Sequence, residues 1–167
     1  YKFILNTSAF TNGEEGINER GLVAAMTFVV PKIMEIEPGL NSVFLVRYLL
    51  EKCKTTKEGI AAIQSLPVSS NCNILIADKS GDMAVIECNP RQKHLRRPTA
   101  NEYGNAFIIT VNELISPEMA THKAAQGGTF FSKERYATAE KALMELKDDP
   151  IESAKAILSG KRGFMCQ

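Results

Sequence analysis

Two apolar runs separated by a short polar connector constrain the fold of this chain more than any other feature. Residues 73–77 and 83–88 are rich in Ile, Val and Ala, and the connector between them is Asp-Lys-Ser-Gly-Asp. Two β-forming runs joined by a few residues that include glycine are typical of an antiparallel hairpin. The sequence therefore predicts a buried hairpin over residues 73–88.

Further strands and two pairs of helices are predicted on either side of the hairpin. Strands are expected at residues 2–9, 22–30 and 105–111, with turns at 11–16 and 18–21 and loops at 91–98 and 113–131. Helices are expected at 41–54, from the Thr55–Glu58 capping box to Pro67, from Ser132, and from Asp149 to Gly160.

The resulting order is β-β-α-α-β-β-β-α-α, in which strands form antiparallel groups and helices come in pairs. Such an order predicts an α+β layered fold and disfavours the alternating pattern of dinucleotide-binding and P-loop folds. The Gly160-Lys161 pair does not change this, because Lys155 stands where a phosphate-binding loop requires its first glycine.

Length and charge exclude several classes of protein. A chain of 167 residues fits a single domain over residues 1–167, and 44% apolar residues are sufficient for a packed core. The formal net charge of +1 gives no support for a nucleic-acid partner or an anionic membrane surface. The longest mostly apolar run spans residues 22–30, well short of the ~20 residues of a membrane-spanning helix.

The cysteines and histidines predict no metal centre. Cys53, Cys72, Cys88 and Cys166 form neither a C-x-x-C motif nor a zinc-ligand spacing. The two histidines are also too far apart in sequence to share a metal-binding motif. We therefore expect reduced thiols in a cytoplasmic protein, with no metal centre.

Two polar residues occupy positions from which a side chain can serve a reaction. Asn112 follows the predicted strand 105–111, and a side-chain amide at a strand end can donate an N–H to a developing oxyanion. Arg135 lies in the first turn of the helix after Ser132, where a cation opposes the helix dipole and so indicates a specific partner. Position alone favours plainer roles, a strand cap for Asn112 and a solvent-facing cation for Arg135.

Two other features are weaker candidates. A phosphate or an acidic substrate could bind the basic loop 91–98, although a solvated loop is favoured because no aromatic residues interleave with its charges. Cys88 is close to His94 in sequence and could act as a nucleophile with that base, but a structural thiol is favoured. The loop carries four cations: Arg91, Lys93, Arg96 and Arg97.

Five segments, taken in order, resemble the superfamily of choloylglycine hydrolase and acyl-CoA:6-aminopenicillanic acid acyltransferase. The first, Gly-Ile-Asn-Glu-Arg-Gly-Leu at residues 16–22, resembles the "G-x-N-E-[KR]-G-L" strand of that superfamily and continues to residue 27. The motif sequences are more similar to those of the acyltransferase branch than to those of the bile-salt branch. The other segments are residues 44–51, 76–87, 110–112 and 132–136.

This resemblance implies a fold and a reaction. Members are N-terminal-nucleophile (Ntn) amide hydrolases with an αββα sandwich, in which a cysteine exposed as residue one attacks an amide carbonyl and its own α-amino group acts as base. Asn112 matches the family asparagine that helps to hold the oxyanion. Arg135 matches the family arginine near the cysteine, where it would help to keep the thiol ionised. Both are therefore predicted catalytic residues, acting on a small-molecule acyl amide, and the resemblance implies no metal or organic cofactor.

The chain departs from the family pattern at its start and at one position of a motif. Residue one is Tyr1, and Val111 stands where relatives usually have Thr before the Asn. We therefore expect an incomplete domain of a larger enzyme, with no amidase activity by itself and a tendency to self-associate through uncovered sheet surface, as a possible homo-oligomer. The competing hypothesis is a non-catalytic α+β binding or scaffold domain of the same fold.

Overall fold

The predicted hairpin is present in the structure. The computed structural model describes residues 1–7, 13–32, 37–124, 129–147 and 149–165. Strand β4 (Cys72–Ala77) pairs with β5 (Met83–Cys88) in antiparallel register, which confirms the hairpin. Gly81 adopts a φ of 88° in the connector, a conformation that favours glycine. Its N–H donates to the carbonyl of Asp78 at 2.9 Å and closes the turn.

The hairpin belongs to a six-stranded antiparallel sheet whose spatial order follows the chain: β1 (Phe3–Asn6), β2 (Glu15–Asn18), β3 (Val23–Phe28), β4, β5 and β6 (Lys93–Arg96). Two of its strands correct the sequence prediction: β2 forms where a turn was expected, and β6 forms where a solvated loop was expected. β2 has little apolar content, but it pairs on both sides, with β1 and with β3.

Two helices cover the first face of the sheet. α1 (Ser42–Lys52) is capped by Asn41, whose side chain accepts from the N–H of Phe44, and α2 (Thr56–Ser65) begins at the predicted Thr55 cap. The main core lies between these helices and alternate residues of the strands, because successive side chains of a strand point to opposite faces. Its sheet residues include Ala24, Ile74, Ile76, Ala84 and Ile86, and its helix residues include Leu45, Leu49 and Ile63.

A second layer forms on the opposite side of the molecule. The prediction of a strand at 105–111 is wrong over most of that range. Within it only β8 (Ala106–Phe107) forms, and it pairs with β7 (Thr99–Ala100). α3 (Ser132–Met144) and α4 (Pro150–Leu158) follow, and Asp149 caps α4 as predicted. A smaller core joins these helices to the segment after β8 through Ile109, Val111, Ala139 and Ile157.

The architecture confirms the predicted α+β class with antiparallel sheets and paired helices. Within the described residues, the second sheet of the expected sandwich is represented by β7 and β8. Among those residues no helix has both the length and the apolar character needed to cross a bilayer.

Candidate active site

Three polar side chains form a row across the second face of the main sheet. Thr27 of β3 lies opposite Asn73 of β4, which lies opposite Glu87 of β5, so the three side chains share one face. Asn73 and Glu87 are both fully buried. Buried polar groups in a sheet are retained where they have hydrogen-bond partners, and these have them in the segment that crosses above. We call Thr27, Asn73 and Glu87 the polar row.

The polar row binds the backbone of residues 109–116, the segment that carries Asn112. Thr27 donates to the carbonyl of Val111 at 2.8 Å. Glu87 accepts from the N–H groups of Ile115 at 3.0 Å and Ser116 at 3.1 Å. Because these residues form no regular strand, side chains of the sheet satisfy the backbone groups that a neighbouring strand would otherwise bind.

Arg96 completes this arrangement at the edge of the sheet. Its Nη2 donates to the carbonyl of Ile109 at 2.8 Å, and its Nε lies 2.8 Å from Oε1 of Glu87. The second contact is a close ion pair between a mostly buried guanidinium and a fully buried carboxylate. Burial lowers the pKa of Arg96, and the neighbouring carboxylate of Glu87 opposes that change.

Asn112 is half-buried on the segment that the polar row holds. Its Nδ2 donates to the carbonyl of Phe28, at the end of β3, at 2.9 Å. Its Oδ1 accepts from Nη2 of Arg135 at 2.8 Å. The carboxamide is therefore fixed at both ends, with its oxygen toward α3 and its nitrogen toward the sheet.

Arg135 reaches Asn112 from the first turn of α3. Its Nε also donates to the carbonyl of Phe130 at 2.8 Å. Phe130 and Phe131 adopt φ values of 58° and 52°, left-handed conformations that are costly for bulky side chains. The guanidinium thus connects a strained turn before the helix to the side chain of Asn112.

The two residues predicted from the sequence are brought together, and each borders a cavity. Arg135 lines a largely apolar cavity of about 380 Å³ between the sheet, residues 108–111, α3 and α4. Asn112 lines a smaller space next to Val29 and Lys123. The geometry therefore places an amide and a cation side by side at the boundary between the two layers.

The cations of the basic loop have partners within the molecule. Residues 93–96 form β6, and the cations of this region are held by partners inside the molecule. Lys93 donates to carbonyls at the end of α2, while Arg97 pairs with Asp82 at 2.9 Å and Arg91 with Glu37 at 3.5 Å. The charges that suggested a phosphate site instead fasten an edge strand.

The cysteine–histidine candidate is excluded by the register of the sheet. His94 lies opposite Glu87, so Cys88, the next residue along β5, points to the other face. The side-chain contact with Cys88, together with burial, raises the pKa of Cys72. Burial raises the pKa of Cys53 to about 11. Cys166 lies outside the described residues. Among the described residues no group of three His, Cys, Asp or Glu could hold a metal ion.

The polar row was missed in the sequence. Its signal was present, because Asn73 and Glu87 interrupt two otherwise apolar strands, and a polar residue in a buried strand requires a partner. The partner could not be found without knowing that residues 109–116 cross the second face. Asn112 and Arg135 were found through their local positions and the motifs that contain them.

Comparison with solved structures assigns the fold. Penicillin V acylase from Agrobacterium tumefaciens is 17% identical, with a TM-score of 0.65, over 94% of this chain and 54% of that one. A mutant of conjugated bile acid hydrolase from Clostridium perfringens is 17% identical, with a TM-score of 0.53, over 89% of this chain and 58% of that one. The chain therefore has an Ntn-hydrolase-like fold, and it spans somewhat more than half the length of these structures.

The family follows from the sequence comparison. The profile of the acyl-coenzyme A:6-aminopenicillanic acid acyl-transferase family matches residues 1–167. The chain belongs to this family, which confirms the resemblance seen in its motifs. No curated protein matches it significantly.

Proposed function

We propose that this chain is one part of an amide hydrolase or acyltransferase that cleaves a non-peptide C–N bond. The nucleophile is an N-terminal cysteine that this chain does not contain, and residues 1–167 form an incomplete Ntn-hydrolase-like domain around it. The observation that carries the proposal is the 2.8 Å hydrogen bond from Arg135 to Asn112. It unites, in one place, the two side chains that the family pattern assigns to the reaction.

The proposed reaction proceeds through an acyl-enzyme. The α-amino group of the cysteine takes the thiol proton, the thiolate adds to the amide carbonyl, and the carbonyl oxygen becomes an oxyanion. The C–N bond then breaks, and the amine leaves with the proton held by the α-amino group. Water or an acceptor amine attacks the resulting thioester and releases the acyl group as an acid or a new amide.

Asn112 and Arg135 have distinct parts in this reaction. The Nδ2 group of Asn112, which its bond to the carbonyl of Phe28 holds in place, stabilises the oxyanion as a hydrogen-bond donor. The guanidinium of Arg135 orients that carboxamide and stabilises the nearby thiolate. No metal or organic cofactor is needed for these steps.

The wider setting of the chain is also a proposal. Its partner is a small-molecule acyl amide. The apolar residues Ile4 and Leu158 are 78% and 74% exposed, which supports self-association into a homo-oligomer. The free thiols of Cys53, Cys72 and Cys88 support a cytoplasmic location.

A non-catalytic domain of the same fold is the second candidate. One observation favours it: the Nδ2 of Asn112, which the reaction would use, already donates to the carbonyl of Phe28. In that case Asn112 would serve only to fasten residues 109–116 to the end of β3.

Assays on the full-length parent protein distinguish these candidates. The probes are penicillin V, a glycine-conjugated bile acid and an N-acyl homoserine lactone. The measured quantity is the rate at which each probe releases its acid or amine. For a substrate that turns over, Asn112→Ala should lower kcat ~100- to 1,000-fold, the usual effect of losing an oxyanion donor. Asn105→Ala, which removes a comparable bond to the carbonyl of Leu146, is the matched control and should leave kcat unchanged. A kcat within a few-fold of the parent in Asn112→Ala would favour the non-catalytic candidate.

A further inference from the structure

From these contacts we infer that Asn73 is a positioning residue, which holds the backbone on both sides of Asn112 and thereby sets the place of its carboxamide. The inference rests on the proposed function of Asn112. It concerns a residue of the sheet outside the motif segments that identified the site.

The contacts of Asn73 bracket Asn112. Its Nδ2 donates to the carbonyl of Val111 at 2.8 Å and to the carbonyl of Glu113 at 3.1 Å. These are the residues immediately before and after Asn112. The same nitrogen contacts Oγ1 of Thr27 at 3.0 Å, and Thr27 itself donates to Val111.

The orientation of the Asn73 amide is fixed by its surroundings. Backbone carbonyls only accept hydrogen bonds, so the nitrogen must face Val111 and Glu113. Within the described part of the chain, Oδ1 of Asn73 is buried and has no hydrogen-bond partner. A buried orphan acceptor is destabilising, and an apolar side chain at this position would avoid it. We take this cost as a sign that the nitrogen end serves the segment above the sheet.

The consequence is a rigid link from the sheet to the site. β4 is a central strand, and Asn73 is fully buried within it. Its two carbonyl bonds stop residues 111–113 from sliding or rotating, while Arg135 holds the Asn112 side chain from the other side. A misplacement of about 1 Å in a catalytic group lowers rates up to ~100-fold, so this clamp affects the reaction without touching the substrate.

Hydrogen exchange tests the clamp without requiring activity. In Asn73→Ala, peptides covering residues 109–116 should exchange at least about tenfold faster than in the parent, while peptides from α1 stay unchanged. Asn101→Ala is the matched control, because Asn101 is also buried and donates to two carbonyls, those of Leu143 and Leu146. It should leave exchange at 109–116 unchanged. Unaltered exchange over 109–116 in Asn73→Ala would overturn the inference. If that variant does not fold, Asn73→Leu removes the same two bonds while keeping a side chain of similar size, and it is subject to the same criterion.

A double-mutant cycle in the full-length parent tests the link to Asn112. Asn73→Ala should lower kcat for a turned-over probe ~10- to 100-fold in the parent background and less than about twofold in the Asn112→Ala background. An equal loss in both backgrounds would indicate general destabilisation and overturn the inference. Faster exchange at 109–116 combined with full activity of Asn112→Ala would refute the proposed function of Asn112 and still support the clamp.

Discussion

Arg135 and Asn112 are 23 positions apart in the sequence and are joined by a 2.8 Å hydrogen bond from the guanidinium to the carboxamide oxygen. The bond fixes which end of Asn112 faces α3 and which faces β3. The bond also explains why a cation stands in the first turn of α3. The hydrogen bonds of Arg135 to Asn112 and Phe130 offset the unfavourable interaction of its charge with the helix dipole.

The first prediction concerns the pH dependence of the proposed reaction. Arg135→Gln in the full-length parent removes a positive charge near the nucleophilic thiol, so the pKa of that thiol should rise. The acidic limb of the kcat/KM profile should move up by about one pH unit or more. Arg91→Gln, a substitution at an exposed arginine paired with Glu37, should leave the profile unmoved. An unshifted profile in Arg135→Gln would show that Arg135 does not influence the pKa of the thiol.

The second prediction concerns the buried ion pair under residues 109–116. Glu87→Gln removes a fully buried charge and leaves Arg96 without its counter-ion, so the free energy of unfolding should fall by ~3–5 kcal/mol. Asp82→Asn breaks the exposed pair with Arg97 and should cost less than ~1 kcal/mol. Urea unfolding of this chain measures both. Equal, small losses would show that the Glu87 carboxylate is not what holds the segment.

The third prediction uses the carboxylate in the hairpin connector. Hydrogen bonds from the Ser80 side chain and from the N–H of Thr56 lower the pKa of Asp78 to about 2. A carboxylate with a lowered pKa stabilises the fold above its ordinary pKa and loses that contribution as the pH falls through the lowered value. The stability difference between the parent and Asp78→Asn should therefore be largest near neutral pH and shrink toward about pH 2. Urea unfolding along that range measures it, and a difference independent of pH would contradict it.

The fourth prediction concerns thiol reactivity. Cys53, Cys72 and Cys88 are buried, and burial contributes to the raised pKa of both Cys53 and Cys72. In the folded chain at neutral pH these three should react with Ellman's reagent at least ~100-fold more slowly than in urea. Rapid native reaction of Cys88, located by peptide mass spectrometry, would reopen the cysteine-nucleophile candidate.

The sequence identified elements whose signals are local. The 73–88 hairpin, α1, α2 and the Asp149 cap depend on apolar spacing and on residues that bind nearby backbone, so neighbouring residues suffice to predict them. β6 was missed because its long cations suggested solvent. In the fold, Lys93 reaches α2 and Arg96 reaches Glu87. Because long charged side chains can pack their apolar stems and still reach distant partners, a charged composition does not exclude an edge strand.

The site was only partly predictable for the same reason. Asn112 and Arg135 lie within short motifs, whereas the role of Asn73 depends on contacts with residues about forty positions away. Residues 105–111 illustrate the difference. Their composition favours a strand, but side chains of the main sheet bind two of their carbonyls: Thr27 binds that of Val111, and Arg96 binds that of Ile109.

The central claim is that Asn112 and Arg135 serve a cysteine at the mature N-terminus of the parent protein. Mass spectrometry of the purified full-length parent, before and after incubation with penicillin V and a conjugated bile acid, tests it most directly. The account predicts a mature chain that begins with cysteine and gains the mass of the acyl group on that residue. A mature chain that begins with any other residue would contradict it.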